Sequence, residues 1–211
     1  MSKIVNSELV QINLNELVNQ LEESDIKEIL SSFVCDKNKE VEQFIKEKAI
    51  VFSAQGIAKT HLVYWSSSDE KWGGKSKELV GYYSIAPKTI TIKKETMSKS
   101  KWKKICKHGD CLSVPGVCNL PALLIGQLAK NYHNGNDTLI SGSDLLQLAI
   151  EKIKKVQAEV GGRIVYLECE DAPGLIKFYN DNGFTVFGKR KLDGDETNLK
   201  GEYLIQLFKY L

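Results

Sequence analysis

From Val41 the apolar residues Val41, Phe44, Ile45, Ala49 and Phe52 recur at intervals of three, four and seven to eight positions. That is the period of an amphipathic helix, predicted to end near Gly56. Before it, "ELVQI" reads as a short strand, and "LNELVNQLEES" and "DIKEILSSF" as two short helices. After it the period changes. Thr60 to Trp65 and Glu78 to Ile92 are rich in β-branched and aromatic residues, and the Ser/Asp/Gly-rich "SSSDEKWGG" separates them as a hairpin loop. Leu120 to Ala129 is a near-continuous apolar run, as expected of a strand buried on both faces. A polar loop, "KNYHNGNDTLISGS", leads into the helix "DLLQLAIEKIKKVQAEV". The strand "RIVYLECE", the helix "APGLIKFYNDNG", the strand "FTVFGKRKL" and a last strand "EYLIQLFKYL" follow. Buried strand, helix, strand, helix, strand predicts a right-handed crossover in a mixed sheet. The expected fold is an α/β layered domain with central strands at Leu120–Ala129 and Arg163–Glu170.

Composition adds a core and little else. With 211 residues, 42% of them hydrophobic, the chain can bury a core of its own, while a net charge of +2 says nothing about partners. Local clustering says more. Lys88, Lys93, Lys94, Lys99, Lys101, Lys103, Lys104 and Lys107 are opposed only by Glu95 before Gly109, which marks a basic insertion at about 93–118. Two readings are open. Lys101, Lys103 and Lys104 can neutralise RNA phosphates, with Trp102 stacking on an unpaired base, or the run is a solvated, mobile loop. The N-terminus lacks an apolar leader and no run approaches a membrane span, so neither a signal peptide nor a membrane partner is expected. Five cysteines with irregular spacing fit reduced thiols in a cytoplasm. Cys106, His108, Cys111 and Cys118 match none of the common paired-ligand patterns, and no metal is expected.

The stretch "LIKFYNDNGFTVFGKRKL" carries the candidate chemistry. Asn182-Gly183 predicts a chain reversal one turn after Tyr179, because glycine accepts positive φ without steric cost. Tyr179 then either packs in the core or points into a cleft.

Four segments in order, "FVCDKNKEVEQFI", "LVGYYSIAP", "LPALLIGQLA" and "YLECEDAPGLIKFYNDNGF", resemble the GNAT superfamily of acyl-CoA-dependent N-acetyltransferases. Within it they resemble the branch of toxins that acetylate aminoacyl-tRNA. The resemblance implies a single GNAT-like domain over 1–211, a mixed, mostly antiparallel sheet with a splayed central parallel strand pair, and flanking helices. It implies acetyl-CoA as cofactor, polarised by backbone N–H groups around Ile125 to Leu128, with Gln127, Leu128, Ala129 and Phe178 along it. It places Tyr179 as the general acid that protonates the departing thiolate, and the phenol's reference pKa of about 10 suits that task. Family members hold the pyrophosphate on a glycine loop at a helix N-terminus. Here Gly135, Gly142 and Ser143 align with that loop, but extra residues intervene, and Asp137 and Asp144 add negative charge. Asp144 can instead serve in the helix's first turn with Ser141 or Ser143 as cap.

The matched motifs contain no histidine, so no base is evident beyond Glu168 or Glu170 acting through water. An α-amino group, with a pKa of about 7.7–8.0, needs less help than a lysine at about 10.4. The resemblance therefore implies acetylation of aminoacyl-tRNA in a cytoplasmic toxin, with an antitoxin and a homodimer as partners. A small-amine or protein acceptor, and a cofactor-free module binding RNA or protein, are the alternatives.

Overall fold

The computed structural model of the protein describes residues 7–67, 76–194, 199 and 201–211. Most of the predicted hairpin loop "SSSDEKWGG" lies outside the described residues. Seven strands form one sheet: β1 (Ser7–Asn13), β2 (Lys59–Ser67), β3 (Ser76–Lys93), β4 (Val117–Lys130), β5 (Ile164–Glu170), β6 (Thr185–Lys191) and β7 (Tyr203–Tyr210). Their order is β1-β2-β3-β4-β5-β7-β6, with β4 and β5 parallel and the sheet otherwise mostly antiparallel. The helices are α1 (Leu14–Val18), α2 (Glu23–Ser31), α3 (Lys39–Gln43), α4 (Ala49–Ala54), α5 (Lys99–Ile105), α6 (Gly142–Val160) and α7 (Pro173–Asp181). The chain divides into two compact units, with β3, β4 and α6 contributing residues to each.

The first unit comprises Met1–Ser84 and Gln127–Gln147. Two of its helices, α1 and α3, start on asparagine caps. Asn13 accepts from the Asn15 N–H at 3.1 Å, and Asn38 from the Glu40 N–H at 2.9 Å. The helix predicted from Val41 to Gly56 is not uniform: five residues, Phe44–Lys48, form a π-turn between α3 and α4. This widening coincides with the Tyr82 hydroxyl donating to the Val41 carbonyl at 2.5 Å, a side chain inserted beside the helical ladder. Phe44 and Ile45 in that turn are buried with Phe33, Leu30 and Tyr82. The Phe33 and Tyr82 rings meet edge to face at 5.1 Å.

Glu42 fixes the approach to this core. Its carboxylate accepts from Lys46 at 2.9 Å, from the Cys35 N–H at 2.9 Å and from Lys39 at 3.0 Å. Those bonds, that of Lys46 foremost, pull its pKa from about 4.5 to about 2. A depressed folded pKa means stability present above the unfolded value and lost as pH falls through the folded one. Glu42→Gln should therefore cost about 1–2 kcal/mol at pH 7. In urea titrations the gap between variant and wild type should close between about pH 4.5 and pH 2. A gap unchanged across that window would remove the carboxylate from the account.

The second unit comprises Ile85–Gly126 and Leu148–Leu211. Ile92, Cys118, Leu120, Ile164, Tyr166 and Phe208 are among the residues of its core. The basic insertion is folded rather than a mobile loop. Ser98 caps α5, Ile105 is buried, and Asp110 and Asn119 form an antiparallel bridge. Cys111 and Cys118, one step along from that bridge, are joined as a disulfide, so the expectation of five free thiols fails. The cause is the register, which sets the two side chains face to face.

The apolar strand β4 departs from the expectation of burial on both faces. Cys118, Leu120 and Ala122 are buried in alternation, the phase then slips by one, and Ile125 and Ala129 are the next buried positions. Leu123, Leu124, Gln127 and Leu128 remain half-buried and Gly126 is exposed. A one-residue slip of this kind is what an extra residue in a strand produces.

Candidate active site

The parallel ladder between β4 and β5 is short. It pairs Leu123 with Val165, Leu124 with Tyr166 and Ile125 with Leu167, and stops there. Both strands continue, β4 to Lys130 and β5 to Glu170, and β5 stays paired with β7 to its end. Beyond Ile125, just after the phase slip, the ladder ends and β4 runs on to Lys130 with no further β5 partner. Backbone groups released from a ladder need other partners, so this segment is chemically competent to bind a ligand.

Helix α7 follows β5 and contacts both β5 and β6. Pro173 opens it, which suits a first helical position whose N–H would be unpaired. Its end is a Schellman motif. The Phe184 N–H donates to the Tyr179 carbonyl at 3.0 Å and the Gly183 N–H to the Asn180 carbonyl at 2.9 Å, with Gly183 at φ +84°. The apolar contact that accompanies this motif is made by Tyr179 and Phe184, whose rings lie 5.9 Å apart. Lys209 closes the turn by donating to the Asn182 carbonyl at 2.9 Å.

Tyr179 is thus positioned by the end of its own helix. Its ring also meets Phe178 edge to face at 5.0 Å, and both side chains are half-buried. Among the described residues no group hydrogen-bonds the Tyr179 hydroxyl. Burial, reinforced by the neighbouring Cys169, pushes its pKa well above that of an ordinary phenol. At neutral pH the hydroxyl therefore carries its proton.

Glu168 is not free to act as a base. One oxygen accepts from the Tyr166 hydroxyl and from Gln206 at 3.1 Å, and the other from Arg190 at 2.7 Å. Burial and the bond to Glu168 raise the pKa of Tyr166 in turn. This network joins β5, β6 and β7, and no motif in the sequence announces it.

In the first unit, the loop after β4 is ordered by two buried asparagines. Asn131, 1% exposed, accepts from the Val34 N–H at 2.9 Å and the His133 N–H at 3.1 Å, and donates to the Leu79 carbonyl at 2.8 Å. Asn136 also donates to Leu79, at 3.3 Å. The extra residues are taken up by a 3₁₀ segment, His133–Thr138, in which Asn134 (φ 51°) and Gly135 (φ 76°) are left-handed. Ser141 caps α6: its hydroxyl accepts from the Asp144 N–H at 3.0 Å and donates to the Asp144 carboxylate at 2.6 Å. Gly142 and Ser143 occupy the first turn. Ala129 is buried in the core of this unit, whereas Gln127 and Leu128 are half-buried.

The basic residues are placed less uniformly. Lys103 is exposed, Lys101 donates to Thr185 at 3.4 Å, and the Lys104 ammonium sits 3.4 Å from the centre of the Tyr210 ring. Trp102 is half-buried and packs against the core of the second unit. An open groove of about 660 Å³ runs beside them, lined by Lys93, Lys94, Met97 and Lys99 among others. A second cleft of about 420 Å³, near Pro87, Pro121 and Val160, is lined by none of the predicted site residues. Among the described residues no helix is long and apolar enough to cross a membrane.

No protein-family model matches this sequence, and no curated protein sequence is significantly similar to it. Solved structures match over nearly the whole chain. AtaT complexed with acetyl-methionyl-tRNAfMet gives a TM-score of 0.58 at 17% identity, covering 94% of each chain. A tyrosine-to-phenylalanine variant of KacT gives 0.58 at 16% identity, again covering 94% of each. A tyrosine-to-phenylalanine variant of the toxin AtaT, bound to acetyl-CoA and the C-terminus of the antitoxin AtaR, gives 0.53 at 15% identity, covering 96% of this chain and 93% of that one. The expected GNAT-like fold is therefore the observed one, shared with AtaT and KacT.

Proposed function

We propose that the protein is an acetyl-CoA-dependent N-acetyltransferase whose acceptor is a primary amine, specifically the α-amino group of an aminoacyl-tRNA. The observation that carries this reading is the parting of β4 from β5 after Ile125 and Leu167 in the fold of AtaT, a protein solved with acetyl-CoA and with acetylated aminoacyl-tRNA. Acetyl-CoA would supply the acetyl group as a thioester. The residues fit its reacting end. Backbone N–H groups from Ile125 to Leu128 would polarise its carbonyl, with Gln127, Leu128 and Ala129 of β4 and Phe178 of α7 as the residues that would hold it. Tyr179 holds a proton on its phenol oxygen for the departing sulfur. With Glu168 engaged on both oxygens, an acceptor amine that is already partly neutral at pH 7 suits the site best.

Gly142 and Ser143 at the start of α6, with Gly135 in the 3₁₀ segment before it, would hold the pyrophosphate. A cofactor-free binding module is the second reading, favoured by the Asp144 carboxylate at that same helix start. Calorimetric titration with acetyl-CoA separates the two. Micromolar binding supports the enzyme, and no heat at millimolar cofactor would sink it and leave the module.

Lys101, Lys103 and Lys104 contact RNA phosphates in this reading, with the exposed part of Trp102 beside them. Changing the three lysines to glutamine should raise KM for charged tRNA by about 10-fold or more and flatten its salt dependence, with a small-amine acceptor unaffected. An equal loss on both acceptors would remove RNA from the proposal. An antitoxin that restrains the enzyme, a homodimer and a cytoplasmic block of translation complete the reading, by likeness to the toxin AtaT in complex with AtaR.

A further inference from the structure

We propose that Cys106, Cys111 and Cys118, when reduced, form a binding site for a thiophilic divalent cation, Zn²⁺ by preference. Their sulfur atoms lie within 4.8 Å of one another. Three separate pieces of chain bring them there. Cys106 is the C-cap of α5, Cys118 is the second residue of β4, and Cys111 is set opposite Cys118 by the Asp110–Asn119 bridge, whose two hydrogen bonds measure 2.8 and 2.9 Å. A disulfide needs two sulfurs. The third has no part in that bond, yet it is held within coordination range of both. Tetrahedral zinc with Zn–S bonds of about 2.3 Å sets its ligand sulfurs about 3.8 Å apart, inside the 4.8 Å that spans this cluster.

The disulfide is then the oxidised, metal-free form of the site. Reduction by a dithiol breaks the S–S bond, gives two thiols and leaves the reductant as a disulfide. Cation binding releases one proton from each of the three thiols. The fourth position goes to solvent, because His108 is already engaged with the Tyr210 hydroxyl at 2.8 Å. Three thiolates on a divalent ion leave one net negative charge. Lys103, Lys104 and Lys107, within three residues of Cys106 in the chain, offset it. Cys118 is fully buried and Cys106 half-buried, which shields the bonds to sulfur from water. Such a site clamps the C-terminal end of α5 to β4, independently of any acetyltransferase activity.

The test is cobalt titration of the dithiothreitol-reduced full-length protein under argon. One equivalent of Co²⁺ should produce thiolate-to-metal charge-transfer absorption that Zn²⁺ displaces, and Cys106→Ser should weaken binding on the order of 100-fold. The absence of a thiolate–cobalt band, or a band unchanged in Cys106→Ser, would overturn the proposal. Should that variant fail to fold, alkylation of the wild type read by mass spectrometry decides. Zn²⁺ must protect Cys106, Cys111 and Cys118 together, with the buried Cys35 and Cys169 as internal references. Equal labelling of the three with and without Zn²⁺ would likewise overturn it.

Discussion

Tyr179→Phe is expected to keep the fold and the affinity for acetyl-CoA while lowering acetyl transfer by about two orders of magnitude or more, the usual worth of a positioned general acid. The ring contacts that hold residue 179, to Phe178 at 5.0 Å and Phe184 at 5.9 Å, do not involve the hydroxyl, and the helix-ending hydrogen bonds use backbone atoms. Phenylalanine keeps all of them. Only the proton is lost. Thermal melting and acetyl-CoA calorimetry should therefore match wild type, and single-turnover transfer should carry the whole defect. The pH profile gives a second check. Because burial raises the pKa of Tyr179, the acid stays protonated through the alkaline range. The wild-type rate should climb with deprotonation of the acceptor amine near pH 8 and then level off. A variant with wild-type turnover would remove Tyr179 from the mechanism.

Asn131→Ala carries the largest expected effect on stability, about 3 kcal/mol, equivalent to a fall in Tm of roughly 6–12 °C for a chain of this size. The side chain is 1% exposed and serves three backbone groups at once: the N–H of Val34, the N–H of His133 and the carbonyl of Leu79. Alanine leaves both N–H groups without that partner where water does not readily replace it and leaves the Leu79 carbonyl only the 3.3 Å bond from Asn136, and the penalty for a buried unpaired group exceeds the net value of the bond itself. Asn131→Asp keeps the two acceptor roles but turns a carboxylate toward the Leu79 carbonyl, so its cost should fall between wild type and alanine. Urea denaturation gives the order. A cost under about 0.5 kcal/mol for alanine would show that the loop after β4 is held by other contacts.

Much of the fold was legible because it rests on local periodicity. The alternation in Thr60–Trp65, the helical period from Val41 and the reversal at Asn182-Gly183 are properties of short windows, and each element lies where its window put it. Two misreadings share one cause. Neither the π-turn at Phe44–Lys48 nor the phase slip in β4 changes the apolar character of its segment. The first accompanies a hydrogen bond from Tyr82, which lies 41 residues away from Val41, and the second appears only as a change in which residues are covered.

For the candidate site the division is similar. Tyr179 and the turn that orients it follow from the residues Phe178 to Phe184 alone, since a Schellman ending needs only a glycine and an apolar partner in the right places. The asparagine that orders the loop, the commitment of Glu168 to Arg190 and Gln206, and the meeting of three cysteines depend on how separate elements come together. Spacing in the chain carries no trace of them. Outside the basic insertion, the sequence by itself determined most of the elements, their order and the tyrosine at the helix end, because these depend on local periodicity and turn chemistry. Only the tertiary structure decided where β4 parts from β5, which polar groups are already paired and which sulfurs meet, because strand register and long-range hydrogen bonds exist only once the chain has folded.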